Sequence, residues 1–427
     1  MPSATNDSAN LRGDEMSGDV GPSGEFKKGW PVVLSAAIGI ALGLSPLPFY
    51  TIGVFVQPLS QEFGWTQSQI QLGLAVMTLT VVVVSPFVGW LADRIGARPV
   101  ALTSVFLFGL SLASFALLNG DINQFYLTWA AMGIMGAGTL PITWTRGVNS
   151  WFVANRGLAL GFALVATGLG GALATQIAGR LTAEVGWREA YIGIAALPLL
   201  VSLPIALFMF NERKDAADAP ALAQSSLGMT LGQAVLHWRF WLLAIAFVPI
   251  SLALGGVVPN LVPILTSEGF TREQAIGMAS LIGLVVAVGR VGGGWLIDRF
   301  WAPRIAFIML AAPVIGLVEL SLPGSIDYAF AVGAIVLIGL ALGVEYDFMA
   351  FMTARYFGMR SYAAVYGALY GFFALGAGLG PVWYARMAEA NGGDFGQALL
   401  IGGLMTLVGA AILPILGAYP DFKKSGD

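Results

Sequence analysis

The sequence predicts an all-α membrane protein, with twelve transmembrane helices arranged as two parallel six-helix repeats. Three observations lead there. Hydrophobic side chains make up 57% of the 427 residues and charged ones only 11%, less than half of the about 25% found in a soluble domain. Apolar runs long enough to cross a bilayer, roughly 20 residues each, recur down the chain. The chain also repeats its own motifs at a fixed offset. There is no cysteine, which removes disulfides, thiolate metal sites and a cysteine nucleophile together. The net charge of −3, with no block of Lys or Arg, argues against nucleic acid as a partner.

Residues 1–29 are polar and lack the apolar core of a secretion signal, so they read as a cytosolic tail. A first bundle, 30–209, holds apolar runs near 30–56, 68–91, 99–118, 125–149, 157–181 and 188–209. A polar linker, 210–238, contains Asn211-Glu212-Arg213-Lys214-Asp215. A second bundle, 239–418, holds runs near 239–263, 274–297, 304–322, 328–352, 361–387 and 397–418, and residues 419–427 form a second cytosolic tail. These runs are continuous and far exceed the 9 to 11 alternating residues of a barrel strand. Helices satisfy every backbone group within lipid.

Orientation follows from Lys and Arg near the span ends. With the N-terminus in the cytosol, fifteen of them fall inside and only Arg180, Arg188, Arg272 and Arg386 outside; Arg146 and Arg290 fall within spans. Twelve crossings then put both termini in the cytosol, and the expected location is the bacterial cytoplasmic (inner) membrane.

The internal repeat has an offset of 205. Gly89-Trp90-Leu91-Ala92-Asp93-Arg94 returns as Gly294-Trp295-Leu296-Ile297-Asp298-Arg299. Gly64-Trp65-Thr66-Gln67-Ser68-Gln69 returns as Gly269-Phe270-Thr271-Arg272-Glu273-Gln274, and Trp151-Phe152 as Tyr356-Phe357. A shift of six spans preserves topology, so the halves are related by an axis along the membrane normal, with a substrate site expected between them near mid-membrane.

Gly89 to Arg98, G-W-L-A-D-R-I-G-A-R, resembles the signature after the second helix of the major facilitator superfamily. Residues 151–163 resemble the fifth-helix signature of its monocarboxylate transporter and oxalate:formate antiporter relatives through Phe152, Arg156, Leu158, Ala159, Gly161 and Ala163, without the expected Lys at 154. Arg290 stands where those relatives keep a substrate-binding arginine. The first-helix lysine of the monocarboxylate pattern is Tyr50 here, and the eleventh-span lysine of an oxalate carrier is absent. The resemblance implies a carboxylate carrier more firmly than it implies lactate or oxalate.

Buried charge singles out the candidate site. Arg290, Glu345 and Asp347 would each cost roughly 2.5–3.5 kcal/mol at the bilayer centre if unpaired, so they should face a cavity or one another. Arg290 precedes Asp298 by eight residues and Asp347 precedes Arg355 by eight, in spans of the same direction; both therefore lie about 12 Å above those markers. A salt bridge or a shared cavity follows, and a purely structural pair is the competing reading. Glu345 lies about 200° around the helix from Asp347, and which of them faces the cavity stays open. A proton is the expected partner: when a substrate carboxylate takes the guanidinium, the displaced acid loses its counter-ion and takes up a proton more readily.

Arg146 reads equally as a cavity residue or as one snorkelling to head groups. Tyr50, Tyr366, Tyr370 and Phe373 are candidate substrate contacts, with lipid-facing or packing roles as the alternative. Gly89, Asp93, Arg94, Arg98, Asp298 and Arg299 are expected to gate the cytosolic side through inter-helix pairs. His237, the only histidine, is expected to anchor the interface beside Trp238 and Arg239. Nothing suggests an enzyme, a metal, a cofactor or ATP: no glycine cluster follows a strand or carries Lys-Ser/Thr. The expected function is secondary transport of an organic carboxylate, as proton symport. A proton-coupled efflux antiporter of hydrophobic or cationic compounds, or a carboxylate exchanger, are the alternatives.

Overall fold

The computed structural model describes residues 22–152, 155–212, 228–297, 299–322, 326–358 and 360–422. Among them are twelve helices long and apolar enough to cross a membrane, and no strand. The first bundle comprises α1 (Glu25–Phe63), α2 (Gln67–Ile95), α3 (Ala97–Leu117), α4 (Ile122–Trp151), α5 (Arg156–Glu184) and α6 (Trp187–Met209). The second comprises α7 (Trp238–Ser267), α8 (Arg272–Ile297), α9 (Ala302–Glu319), α10 (Tyr328–Phe357), α11 (Tyr362–Ala390) and α12 (Gly396–Leu416). The protein is thus a multi-pass membrane protein. The two ends of the bundle are named here by the chain: the terminal end, where α1 begins and α12 ends, and the distal end opposite.

Turn chemistry sets the helix ends. Thr66 opens α2 with a capping box, its hydroxyl accepting from Gln69 N while Gln69 caps back. Gly64 closes α1 at φ +70°, a left-handed conformation open to glycine. His237 begins α7 by accepting the N–H of Arg239 through Nδ1 at 3.2 Å and stacks on Trp238. Burial and the charge of Arg239 push the histidine below its ordinary value, which keeps the lone pair that the cap requires.

Two spans break where they meet. α1 leaves helical geometry at 42–45, ahead of Pro46, and α4 passes through a 3₁₀ turn at Ala137–Thr139, ahead of Pro141. The freed Leu44 N–H is taken by Thr139 Oγ1 at 2.9 Å, so the break in α1 is repaired from α4, where Thr139 Oγ1 in turn donates to the Gly136 carbonyl.

Glycine sets the approach of α8 to α10. A Cβ on Gly289 would stand 2.6 Å from the Leu340 carbonyl oxygen, and one on Gly343 would stand 2.8 Å from Arg290 N. Without a driving force from water, such close packing is what holds membrane helices together. Gly289→Val is therefore expected to part α8 from α10, at a cost of about 1–3 kcal/mol. Thermal unfolding in detergent checks it: the variant should melt several degrees lower, as Gly277→Val, with open space around its Cβ, does not.

The bundles meet at the distal end and part at the terminal end. Gly168 packs on the Gly283 carbonyl, Gly53 on the Pro259 carbonyl and Gly378 on Thr78, each across the divide. Toward the terminal end, Gly89, Gly161, Gly292, Gly294, Gly367 and Gly371 have no atom within 4 Å of a would-be Cβ.

Candidate substrate site

Five spans converge on Arg290. Its Nε lies 3.6 Å from Asp347 Oδ2, longer than the 2.7–2.9 Å of a closed charge-assisted hydrogen bond. Its Nη1 donates to the Leu164 carbonyl of α5, in the other bundle, at 3.1 Å. Nε also approaches the Gly343 carbonyl at 3.5 Å. Nη2 makes no hydrogen bond to the described residues. The guanidinium is therefore held at the inter-bundle divide with donors in reserve, its side chain 17% exposed.

Two carboxyl groups on α10 have different surroundings. Asp347 is 34% exposed and faces Arg290. Glu345 is buried, and its Oε2 has no hydrogen-bond partner among the described residues. A carboxyl without a partner is expensive to keep charged there. Glu345 is nonetheless within electrostatic reach of Arg290 and of Tyr50 on α1.

Aromatic rings complete the wall. Tyr362 stacks on Tyr366 (centroids 5.7 Å, 8°), Tyr366 approaches Tyr370 at 6.2 Å, and Tyr370 stacks on Phe373 at 6.0 Å. These residues lie on one face of α11, because i,i+4 and i,i+3 positions are neighbours. The ladder runs from the terminal end inward. Tyr346, between the two acids on α10, meets Phe373 at 4.4 Å and Tyr370 at 6.1 Å. Sequence reading passed over Tyr346, although it adjoins both acids. Tyr50 fits because Gly171 of α5 has no side chain where its ring lies. The hydroxyls of Tyr50, Tyr346, Tyr366 and Tyr370 form no hydrogen bond with the described residues, whereas Phe373 is 1% exposed and backs the wall.

Arg146 lies elsewhere. Its Nε donates to Glu212 Oε1 at 3.1 Å, while Glu212 Oε2 accepts the Ala97 N–H that begins α3 at 2.6 Å. Arg98 belongs to the same cluster through Asn211 and the Leu207 carbonyl. The cluster ties α3, α4 and the end of α6 within one bundle. At the gating positions, Arg94 lies over the Trp90 ring at 5.1 Å and Arg299 over the Trp295 ring at 4.2 Å, repeat equivalents doing the same thing. Gly89 faces open space. Asp298 and the side chain of Asp93 lie outside the described residues. No group of three His, Cys, Asp or Glu residues that could hold a metal occurs among the described residues.

The twelve-span fold of two six-helix bundles is that of a membrane transporter. The profile of the Major Facilitator Superfamily matches residues 38–381, and the chain belongs to that family. It is 26% identical over 408 residues to the probable sulfoacetate transporter SauU of Cupriavidus necator, covering 88% of this chain and 92% of that one. It is 27% identical to monocarboxylate transporter 13 of Rattus norvegicus (87% and 81% covered) and 26% identical to monocarboxylate transporter 11 of Homo sapiens (92% and 84%). In fold it is similar to a bacterial homologue of the human lysosomal transporter Spinster, solved in an inward-facing and occupied conformation. That likeness has a TM-score of 0.68 at 17% identity, over 91% of this chain and 95% of that one.

Proposed function

We propose that the protein carries an organic carboxylate across the cytoplasmic membrane by alternating access, together with a proton. The observation that carries this reading is Arg290: a guanidinium at the inter-bundle divide, with donors in reserve and an ion-pair partner too distant to use them fully. A substrate carboxylate can take those donors bidentately. Relatives named for sulfoacetate and monocarboxylates support the same class of cargo.

The proton follows from charge. Moving a monoanion against an inside-negative potential costs about 2.3 kcal/mol per 100 mV, and moving it with one proton removes that cost. Asp347 is the acid that the substrate displaces from Arg290, and Glu345 the buried acid whose Oε2 lacks a partner. With both termini cytosolic, as the excess of Lys and Arg there supports, the parted end faces the cytosol. Rocking of the two bundles would bring Arg94 and Arg299 toward partners on the opposite bundle, and Asp93 and Asp298 are the acids proposed for them.

The test is counterflow in proteoliposomes with aliphatic acids, aromatic acids, the matching amides and hydrophobic cations, with and without a pH gradient. Acids that exchange while amides and cations do not support the reading. Cation exchange driven by an opposite proton gradient would replace it with the efflux antiporter, which requires an acid not balanced by Arg290.

The tyrosine wall selects the body of the cargo. Stacking on an aromatic ring contributes about 1 kcal/mol beyond area burial. Tyr370→Leu is therefore expected to weaken benzoate binding about five-fold and leave acetate unchanged, as competition for counterflow would read.

A further inference from the structure

The distal closure is built from prolines. In a helix, the carbonyl of residue i accepts the N–H of residue i+4, and a proline at i+4 has none to give. Pro58 in α1 thus orphans the carbonyl of Val54, and Pro263 in α7 orphans that of Pro259. The two prolines are 205 residues apart, as are the two carbonyls, so the internal repeat places them at equivalent points of the two bundles.

Each orphaned carbonyl is taken by the opposite bundle. Arg272, the first residue of α8, donates from Nη2 to the Val54 carbonyl at 2.6 Å and from Nη1 to Gln57 Oε1 at 2.6 Å. Gln71, in the first turns of α2, donates to the Pro259 carbonyl at 3.0 Å and to Asn260 Oδ1 at 3.3 Å. Gln67, which begins α2 and is the repeat equivalent of Arg272, donates to Asn260 Oδ1 at 2.7 Å. Asn260 is fully buried and returns its own N–H groups to the carbonyls of Gly256 and Pro381. Gly53 lets α1 lie against the Pro259 carbonyl at the centre of this arrangement.

We propose that Pro58 and Pro263 are the acceptor halves of a two-fold latch, in which each bundle withholds a helical hydrogen bond so that the other can supply it, holding the distal end shut. A buried carbonyl must be paired. When the distal end is closed, its partner is Arg272 or Gln71; when it opens, its partner is water entering the cleft. The latch therefore sets the balance between the two states of the transport cycle. It rests on the fold and on these bonds, not on the identity of the cargo.

Alanine at either proline returns an N–H to the helix, satisfies the carbonyl internally and favours helix formation. The donor on the other bundle then has nothing to close on. The chain has no native cysteine, so Gln61→Cys on the first bundle and Ser267→Cys on the second can be spin-labelled cleanly and their distance distribution read by pulsed electron paramagnetic resonance. In nanodiscs without substrate, the parent should populate mainly the short distance. Pro58→Ala and Arg272→Ala should each raise the ratio of long to short distances by about tenfold, the weight of one hydrogen bond to a charged donor. Pro263→Ala and Gln71→Ala should shift it in the same direction by a smaller factor. An unchanged distribution in Pro58→Ala and Pro263→Ala overturns the proposal, including the case where Arg272→Ala alone shifts it, since Arg272 then acts only through Gln57. Thermal unfolding of the proline variants at or above the parent temperature shows that the shift is not loss of fold.

Discussion

Arg290→Lys is expected to abolish carboxylate uptake while leaving the protein folded. Lysine keeps the positive charge and so keeps the ion pair with Asp347, but a single ammonium cannot offer two parallel N–H donors to a carboxylate. It also cannot hold the Leu164 carbonyl of the opposite bundle and a substrate oxygen with the same fixed geometry. Losing about 2–3 kcal/mol of charge-assisted hydrogen bonding corresponds to roughly 30- to 150-fold in affinity. Counterflow at saturating and sub-saturating substrate reads it, as a rise in half-saturation followed by loss of flux. Unfolding temperature should stay within a few degrees of the parent, because the charge of the Asp347 partner remains balanced. Arg290→Ala is expected to lose both transport and stability, since it strands Asp347 beside the unpartnered Glu345.

Neutralising the proton-carrying acid is expected to separate exchange from accumulation. In a symporter, uptake rises as the pH on the side of origin falls, because the substrate-loaded carrier crosses only with a proton, releases both and returns empty. Glu345→Gln keeps the size of the side chain and removes its titration. If Glu345 is the carrier, the variant should leave substrate exchange within a few-fold of the parent and abolish accumulation driven by a pH gradient. Asp347→Asn is expected to do the same if Asp347 is the carrier, and additionally to tighten substrate binding, since Arg290 then has no competitor for its donors. Uptake measured between pH 5.5 and 8 discriminates them: the coupling variant is flat, the other keeps the slope of the parent. If both variants keep the parental slope, neither acid carries the proton.

The architecture was legible because its signals are long and redundant. Twelve apolar runs and a motif repeated at an offset of 205 are set by the bilayer and by topology, and local packing does not blur them. The level shared by Arg290 and Asp347 could be read from equal eight-residue spacings in spans of the same direction, and the two side chains meet at 3.6 Å. Other features depend on contacts between residues remote in sequence. Arg146 could be placed at its depth, but its partner Glu212 lies 66 positions on, in a stretch read as linker. Tyr346, uncharged, carries no desolvation cost like that of the acids on either side of it, and its contacts with Tyr370 and Phe373 join residues of another span. The repair of the α1 break from α4 joins Leu44 to Thr139, 95 residues apart. The state of the cycle was not legible at all, since one sequence must encode both the closed and the open form of each end.

The most direct test of the central claim is the binding of one acid and its uncharged amide to the parent and to Arg290→Ala, by isothermal titration in detergent. If Arg290 receives the carboxylate, the parent prefers the acid to the amide by at least about a hundredfold and the variant binds both equally weakly. If the variant keeps the preference of the parent, the carboxylate is held by some other group, and the account of this transporter as one built around Arg290 is wrong.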